Sequence, residues 1–220
     1  MPTSTVEQYI KTIYQEQEIV GSEMLSMKDL SRAMRVAPGT ATAMVKHLDE
    51  KGLVSYQPRK GVVLTEQGTR LALQMLRRHR LIETFLEQVL DYDWSEIHDD
   101  AERLEHAVSE TFIERLDAYL DHPQSDPHGD PIPSASGRVK EPVSRTLNSC
   151  KTGRTYCVIR LVDSNPEFLS MMKERHLVPG ERIVLEESSR AVGILTVRHT
   201  ASDSVFSLGW DLGANILVTT

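Results

Sequence analysis

Over the first ninety positions, apolar residues recur three and four apart, and each run is bracketed by residues that start or stop helices. Ser4-Thr5-Val6-Glu7 has capping-box form, with Tyr9, Ile10, Ile13 and Tyr14 at helical spacing behind it. A second box, Ser26 to Asp29, opens MKDLSRAMRV. VAPG then breaks the chain, and TATAMVKHLDEKG predicts another helix, ended by Gly52 at a C′ position. LVSYQ and VVLT alternate around PRKG and predict a hairpin. Thr65 is placed to cap a long helix over about 66–90, and further helices are expected over 97–108 and 112–120. In the first of these, Ile97, Ala101, Leu104 and Val108 form one apolar stripe.

From Asp121 the pattern gives way to DHPQSDPHGDPIPSASG, which predicts a loop or linker. Beyond it, TYCVIRLV, VPGERIVLEES, GILTVRH, VFSLGW and NILVTT are short strand candidates, with NPEFLSMMKERHL a helix among them. Short strands separated by turn residues predict a small β-barrel as a separate domain.

Charge divides the chain. Residues 28–80 carry eleven Lys/Arg against four Asp/Glu, and residues 81–130 carry two Arg against fifteen Asp/Glu. The first balance suits an anionic partner and the second a cationic one. With no run of 18 apolar residues, no membrane span is expected. MPTSTVEQYIKTIYQEQ lacks the basic-then-apolar form of a secretory signal. Cys150 and Cys157 form neither a CxxC pair nor a framework, which suits the reducing cytoplasm.

Helix, short glycine-containing break, second helix and basic-tipped hairpin is the order of a winged helix-turn-helix. Its second helix would start at Pro38 and Gly39 and offer Thr40, Thr42, Ala43, Lys46 and His47 to the major groove. Met44, Val45 and Leu48 would face the core, while Arg59 and Lys60 at the wing tip would meet phosphates or the minor groove. Two alternatives compete: a winged helix used as a protein-interaction module, and a metal-dependent hydrolase. The chain has no HExxH, nucleophile elbow or phosphate-binding glycine loop, so a binding module is favoured over an enzyme.

HDDAERLEH places His98, Glu102, Glu105 and His106 at i, i+4, i+7 and i+8, and RRHRLIETFLEQ places His79 and Glu83 at i and i+4. Such a row either faces water or surrounds a cation. Two neighbouring helices that each carry one, within an acidic segment, favour the cation. Imidazole with carboxylate suits a divalent transition metal.

TVEQYIKTIY, VAPGTATAMVKHLDEKGLV, VVLTEQG, RRHRLIETFL, WSEIHDDAERLEHAVSE and DPHGDPIP resemble the diphtheria-toxin-repressor family of iron- and manganese-dependent transcription repressors. The resemblance covers nearly the whole chain. It implies a mainly α fold with a small β part: a winged helix-turn-helix over 1–72, a helical dimerisation and metal domain with a Pro-rich linker over 73–143, and an SH3-like domain of the ferrous-iron-transport-A type over 144–220. It also implies a homodimer that binds double-stranded palindromic operator DNA when loaded with Mn²⁺ or Fe²⁺, controlling metal homeostasis genes. The implied activating site is Gln8, Glu102, Glu105 and His106. The implied ancillary site is His79, Glu83 and His98, although some manganese-type members use the His79 position in a two-metal cluster. Asp126, His128 and Asp163 match ligand positions of certain members. Three residues depart from the family pattern: Gln8 replaces Met or Asp, Lys11 replaces an acidic ligand of some manganese-type members, and Glu102 replaces the cysteine of iron-type members. The resulting oxygen-rich set tilts the choice toward Mn²⁺.

Overall fold

The computed structural model describes residues 3–162 and 165–220, which form two compact units. The first holds the residues up to His79 together with Arg103–Val108 and Pro133–Arg138. The second holds Arg80–Glu102, Ser109–Ile132 and Val139–Thr220.

In the first unit, α1 (Ser4–Val20), α2 (Met27–Ala33) and α3 (Pro38–Glu50) precede a hairpin of β1 (Val54–Gln57) and β2 (Gly61–Leu64). Val6, Tyr9, Ile10 and Ile13 from α1 meet Leu30 of α2, Val45 and Leu48 of α3, and Val54 and Val62 of the hairpin in one core. Leu25 exchanges both backbone hydrogen bonds with Val62, which ties the approach to α2 onto the wing. Gly61 permits this: a Cβ there would lie 2.2 Å from the Leu25 carbonyl oxygen. The Ser26 hydroxyl accepts from the Asp29 amide, capping α2 as the sequence predicts, and itself donates to Asp29 Oδ2. The cap of α1 differs from expectation. Thr3, rather than Ser4, accepts from the Val6 amide, and the Glu7 side chain turns away to another partner.

The helix α4 (Glu66–Leu90) has the predicted extent, with the Thr65 hydroxyl accepting from the Gly68 amide at its start. The helix α5 (Trp94–Leu104) ends earlier than the apolar stripe suggests. Ile97 and Ala101 are fully buried, but Leu104 is exposed and its carbonyl accepts from both Ala107 and Val108 in a closing turn. Glu105 and His106 therefore come off that turn, and α6 (Glu110–Tyr119) starts afresh with Ser109 as its cap.

In the second unit, β3 (Arg145–Thr146), β4 (Arg154–Leu161), β5 (Arg182–Ser189), β6 (Ile194–His199), β7 (Val205–Gly209) and β8 (Ile216–Thr219) form an antiparallel sheet in the order β3-β8-β4-β5-β6-β7. Two 3₁₀ turns, η1 (Leu147–Ser149) and η2 (Trp210–Asn215), accompany it, and η2 packs against both edge strands, β3 and β7. An SH3-like barrel manages its strand edges in this way. Alternate residues such as Tyr156 and Val158, Ile183 and Leu185, and Leu195 and Val197 point inward. Phe168, Leu169 and Met172 of α7 (Pro166–Glu174) complete the core, joined by Trp94 and Ile97 of α5. No helix among the described residues is long and apolar enough to cross a membrane.

The segment that its composition marks as a linker is built into the structure. Asp126, His128, Gly129, Pro131, Ile132 and Pro133 are all buried. Leu161 of β4 donates its amide to the His128 carbonyl at 2.8 Å. Composition predicts turns correctly here, but it does not reveal that the turns pack inward.

Candidate metal centres and nucleic-acid interface

On α3, Ala41, Val45 and Leu48 are fully buried, which leaves Pro38, Gly39, Thr40, Ala43, Lys46 and His47 exposed on the opposite face. Thr42 is half-buried, and its hydroxyl donates to the Pro38 carbonyl at 2.8 Å. Pro38 occupies the first turn, where its missing N–H costs nothing. The hairpin tip closes with the Lys60 amide on the Gln57 carbonyl and Arg59 in the left-handed region at φ 69°; both basic side chains are exposed. Helix face and wing tip together make a cationic surface suited to a duplex.

A first cluster of ionisable residues lies within the first unit. Glu7 and Lys11 are one turn apart on α1, and both are buried although they share its apolar face. Lys11 Nζ donates to Glu105 Oε1 at 2.6 Å, and His79 Nδ1 lies 2.6 Å from Glu105 Oε2. His106 Nδ1 lies 2.8 Å from Glu7 Oε2, and its Nε2 lies 3.5 Å from Glu105 Oε1. Burial of Glu105 raises its pKa, but the hydrogen bonds and charges of His79 and Lys11 outweigh this and hold the carboxyl below its usual range.

A second cluster lies within the second unit. Glu83 on α4 and Asp126 and His128 in the loop after α6 are all buried, and one ligand atom from each lies within 4.8 Å of the others. Asp126 Oδ1 accepts from the His128 and Asp130 amides, both at 2.9 Å, which shapes the turn around the cluster. The Trp94 ring meets His128 edge-on at 5.0 Å. His98, half-exposed, places Nδ1 3.4 Å from Glu83 Oε1. Arg80 donates to the Pro131 carbonyl at 2.6 Å and to Asp130 at 3.3 Å, and Arg160 also pairs with Asp130. Burial, together with the Asp130 and Glu83 carboxylates, pushes the Asp126 carboxyl well above its usual range despite Arg80.

The structure keeps Glu83 with His98, as the ancillary set implies, and brings Asp126 and His128 to Glu83 as well. Glu105 and His106 meet Glu7, Lys11 and His79. Glu83 meets His98, Asp126 and His128, and lies one turn after His79 on α4. Gln8 and Glu102 are half-buried, and Asp163 lies outside the described residues. Sequence reading missed Glu7 as a partner of His106, and Arg80, Asp130 and Trp94 around the second cluster. One signal was present: Glu7 and Lys11 interrupt the apolar face of α1 at helical spacing.

An iron-dependent repressor N-terminal DNA-binding domain matches residues 1–62, an iron-dependent repressor metal-binding and dimerisation domain matches 65–134, and a FeoA domain matches 145–220. The chain is 30% identical over 194 residues to the iron-dependent repressor IdeR of Mycobacterium tuberculosis, spanning 83% of this chain and 84% of that one. It is 36% identical over 116 residues to the HTH-type transcriptional regulator MntR of Listeria monocytogenes, spanning 53% and 80%. Among solved structures, a manganese-dependent transcriptional repressor in complex with manganese is 38% identical with a TM-score of 0.88, covering 98% of this chain and 99% of that one. These similarities leave no place for the hydrolase alternative. With its winged DNA-binding fold, its imidazole and carboxylate clusters and its SH3-like domain, the chain belongs to the iron-dependent repressor family of DNA-binding, dimerising transcriptional regulators.

Proposed function

We propose that this repressor takes Mn²⁺ or Fe²⁺ on Glu83, Asp126 and His128, with His98 beside Glu83, and in that state binds a palindromic operator as a cytoplasmic homodimer to control metal homeostasis genes. The observation that carries this reading is the convergence of Glu83, Asp126 and His128 in a fully buried position. Two carboxylates and an imidazole, without thiolate, suit Mn²⁺ and Fe²⁺. The charge balance fits as well. Glu83, Asp126 and Asp130 crowd together against Arg80, and burial first, then the Asp130 and Glu83 carboxylates, raises the Asp126 carboxyl. A bound divalent ion supplies the missing positive charge.

The protein's own groups prepare the position. Asp126 builds the turn with one oxygen, and Trp94 packs its ring against the edge of His128. Arg80 holds the loop from the other side through Pro131 and Asp130. On the DNA side, Thr40, Thr42, Ala43 and His47 face the bases, while Lys46, Arg59 and Lys60 meet the backbone. The modules for these tasks follow the boundaries 1–72, 73–143 and 144–220. Whatever factor the ion adds to operator affinity, the operator adds to ion affinity.

The relatives support both ions, since one is named for iron and another was solved with manganese. The set implied by the family resemblance, Gln8, Glu102, Glu105 and His106, fits an ion less well in this chain, because the Lys11 ammonium already lies on Glu105. The test is selection of duplexes from a random pool by the full-length protein, without oxygen, in Mn²⁺, in Fe²⁺ and without metal. A palindrome should be enriched with Mn²⁺ at micromolar levels, with Fe²⁺ as a partial or equal activator. Glu83→Gln and His128→Ala should abolish the metal response with helical content retained. Equal enrichment with and without metal sinks the reading.

A further inference from the structure

We infer that Lys11 is the resident cation of the Glu7, His79, Glu105 and His106 cluster and keeps divalent ions out of it, so that each chain holds its activating ion only at Glu83, Asp126 and His128. The last clause rests on the function proposed above; the exclusion at Lys11 does not.

The geometry around Glu105 shows a carboxylate already satisfied. One oxygen accepts the Lys11 ammonium at 2.6 Å and the other faces His79 Nδ1 at 2.6 Å. The Glu105 side chain is fully buried and Lys11 is 2% exposed, so little solvent screens the pair. An ion on Glu105 would share that unscreened space with a positive ammonium. His106 is similarly occupied, with Nδ1 at Glu7 and Nε2 near Glu105.

A tethered cation also has a concentration advantage. Lys11 is fixed on α1 one turn from Glu7, so it meets Glu105 intramolecularly whatever the ion level. Lys11 and Glu7 contact the consecutive residues Glu105 and His106, latching α1 to the turn after α5 without a metal. Where the family resemblance implies an ion-carrying junction, this chain carries a lysine latch. A buried ammonium and carboxylate must keep one another, since either alone would be an uncompensated charge.

The experiment counts Mn²⁺ per chain by equilibrium dialysis and elemental analysis of the full-length protein. His106→Ala should leave the wild-type count unchanged, whereas Asp126→Ala should remove the activating ion. Lys11→Met, which keeps the length but not the charge, should add one ion per chain, and Lys11→Arg should not. Adding His106→Ala to Lys11→Met should remove the extra ion. Loss of an ion from His106→Ala alone overturns the inference, and this measurement decides even if Lys11→Met fails to fold. An unchanged count in folded Lys11→Met also overturns it. Retention of every ion by Asp126→Ala overturns the proposed ion site instead and leaves the Lys11 result standing.

Discussion

Gly129 lies where the loop carrying Asp126 and His128 presses against β4, and it leaves no room for a side chain. Its φ is +89°, and an added Cβ would sit 2.0 Å from the Ile159 carbonyl oxygen and 2.8 Å from the Arg160 Cα. Both obstacles are backbone, so neither can swing aside. Ile159 is also the residue skipped in the β4–β8 register, between the pairs at Val158 and Arg160. To restore ordinary contact, Gly129→Ala must move the loop by about 1.5 Å. That breaks the 2.8 Å hydrogen bond from the Leu161 amide to the His128 carbonyl. The left-handed backbone costs an alanine about 1–2 kcal/mol, and a buried unpaired amide about 1–3 kcal/mol more. Ion binding suffers further, because ligand distances tolerate only about 0.2 Å. Mn²⁺ affinity should fall about 10-fold or more, by analogy with lost outer-shell support. Calorimetric titration of the full-length protein measures this, and hydrogen exchange at Leu161 reports the loop. Wild-type Mn²⁺ affinity with wild-type protection at Leu161 would refute the reasoning.

Lys46→Ala and Arg59→Ala should each flatten the dependence of log Kobs on log salt by about 0.9 per phosphate contact, about 1.8 for a two-fold dimer. Filter binding over a salt series checks this, and unchanged slopes would place the DNA surface elsewhere. Thr42→Ala should instead shift base preference in a selection experiment with little change in slope. Leu48→Ala empties a fully buried position in the winged core and should cost about 2–5 kcal/mol, read by denaturant unfolding; a loss below about 1 kcal/mol contradicts the packing described. Asp126 supplies a pH test. Its carboxyl is raised, so the native metal-free protein holds that proton more tightly than the unfolded chain does. The stabilisation is complete below the ordinary value of 3.8 and is lost as pH rises through the raised one. The Tm advantage of metal-free wild type over Asp126→Asn should therefore shrink with rising pH, and a difference independent of pH contradicts it.

Local chemistry wrote the winged half of the molecule into the sequence. The Ser26 box, Pro38, Gly52, the PRKG turn and Thr65 act within four or five residues, and the apolar period then says which face of each helix is buried. The same short-range signals located most of the C-terminal strands. The two-residue β3 escaped because so short a strand has no alternation of its own and exists by pairing with β8. Folding alone decided which ionisable groups meet. Lys11 and Glu105 are 94 positions apart, Glu7 and His106 are 99 apart, and spacing along a helix carries no information about such pairs. Helical periodicity put Glu105 and His106 on the same row as His98, yet α5 stops at Leu104 and the turn redirects both toward α1. Residues 121–137 show the converse: their Pro, Gly and Asp content correctly announces turns, but burial of Asp126 and His128 depends on β4 and α4 closing over them. Side-chain types listed the available donors, and long-range packing, by excluding water and choosing neighbours, decided which carboxylate is held by a lysine and which are gathered around His128.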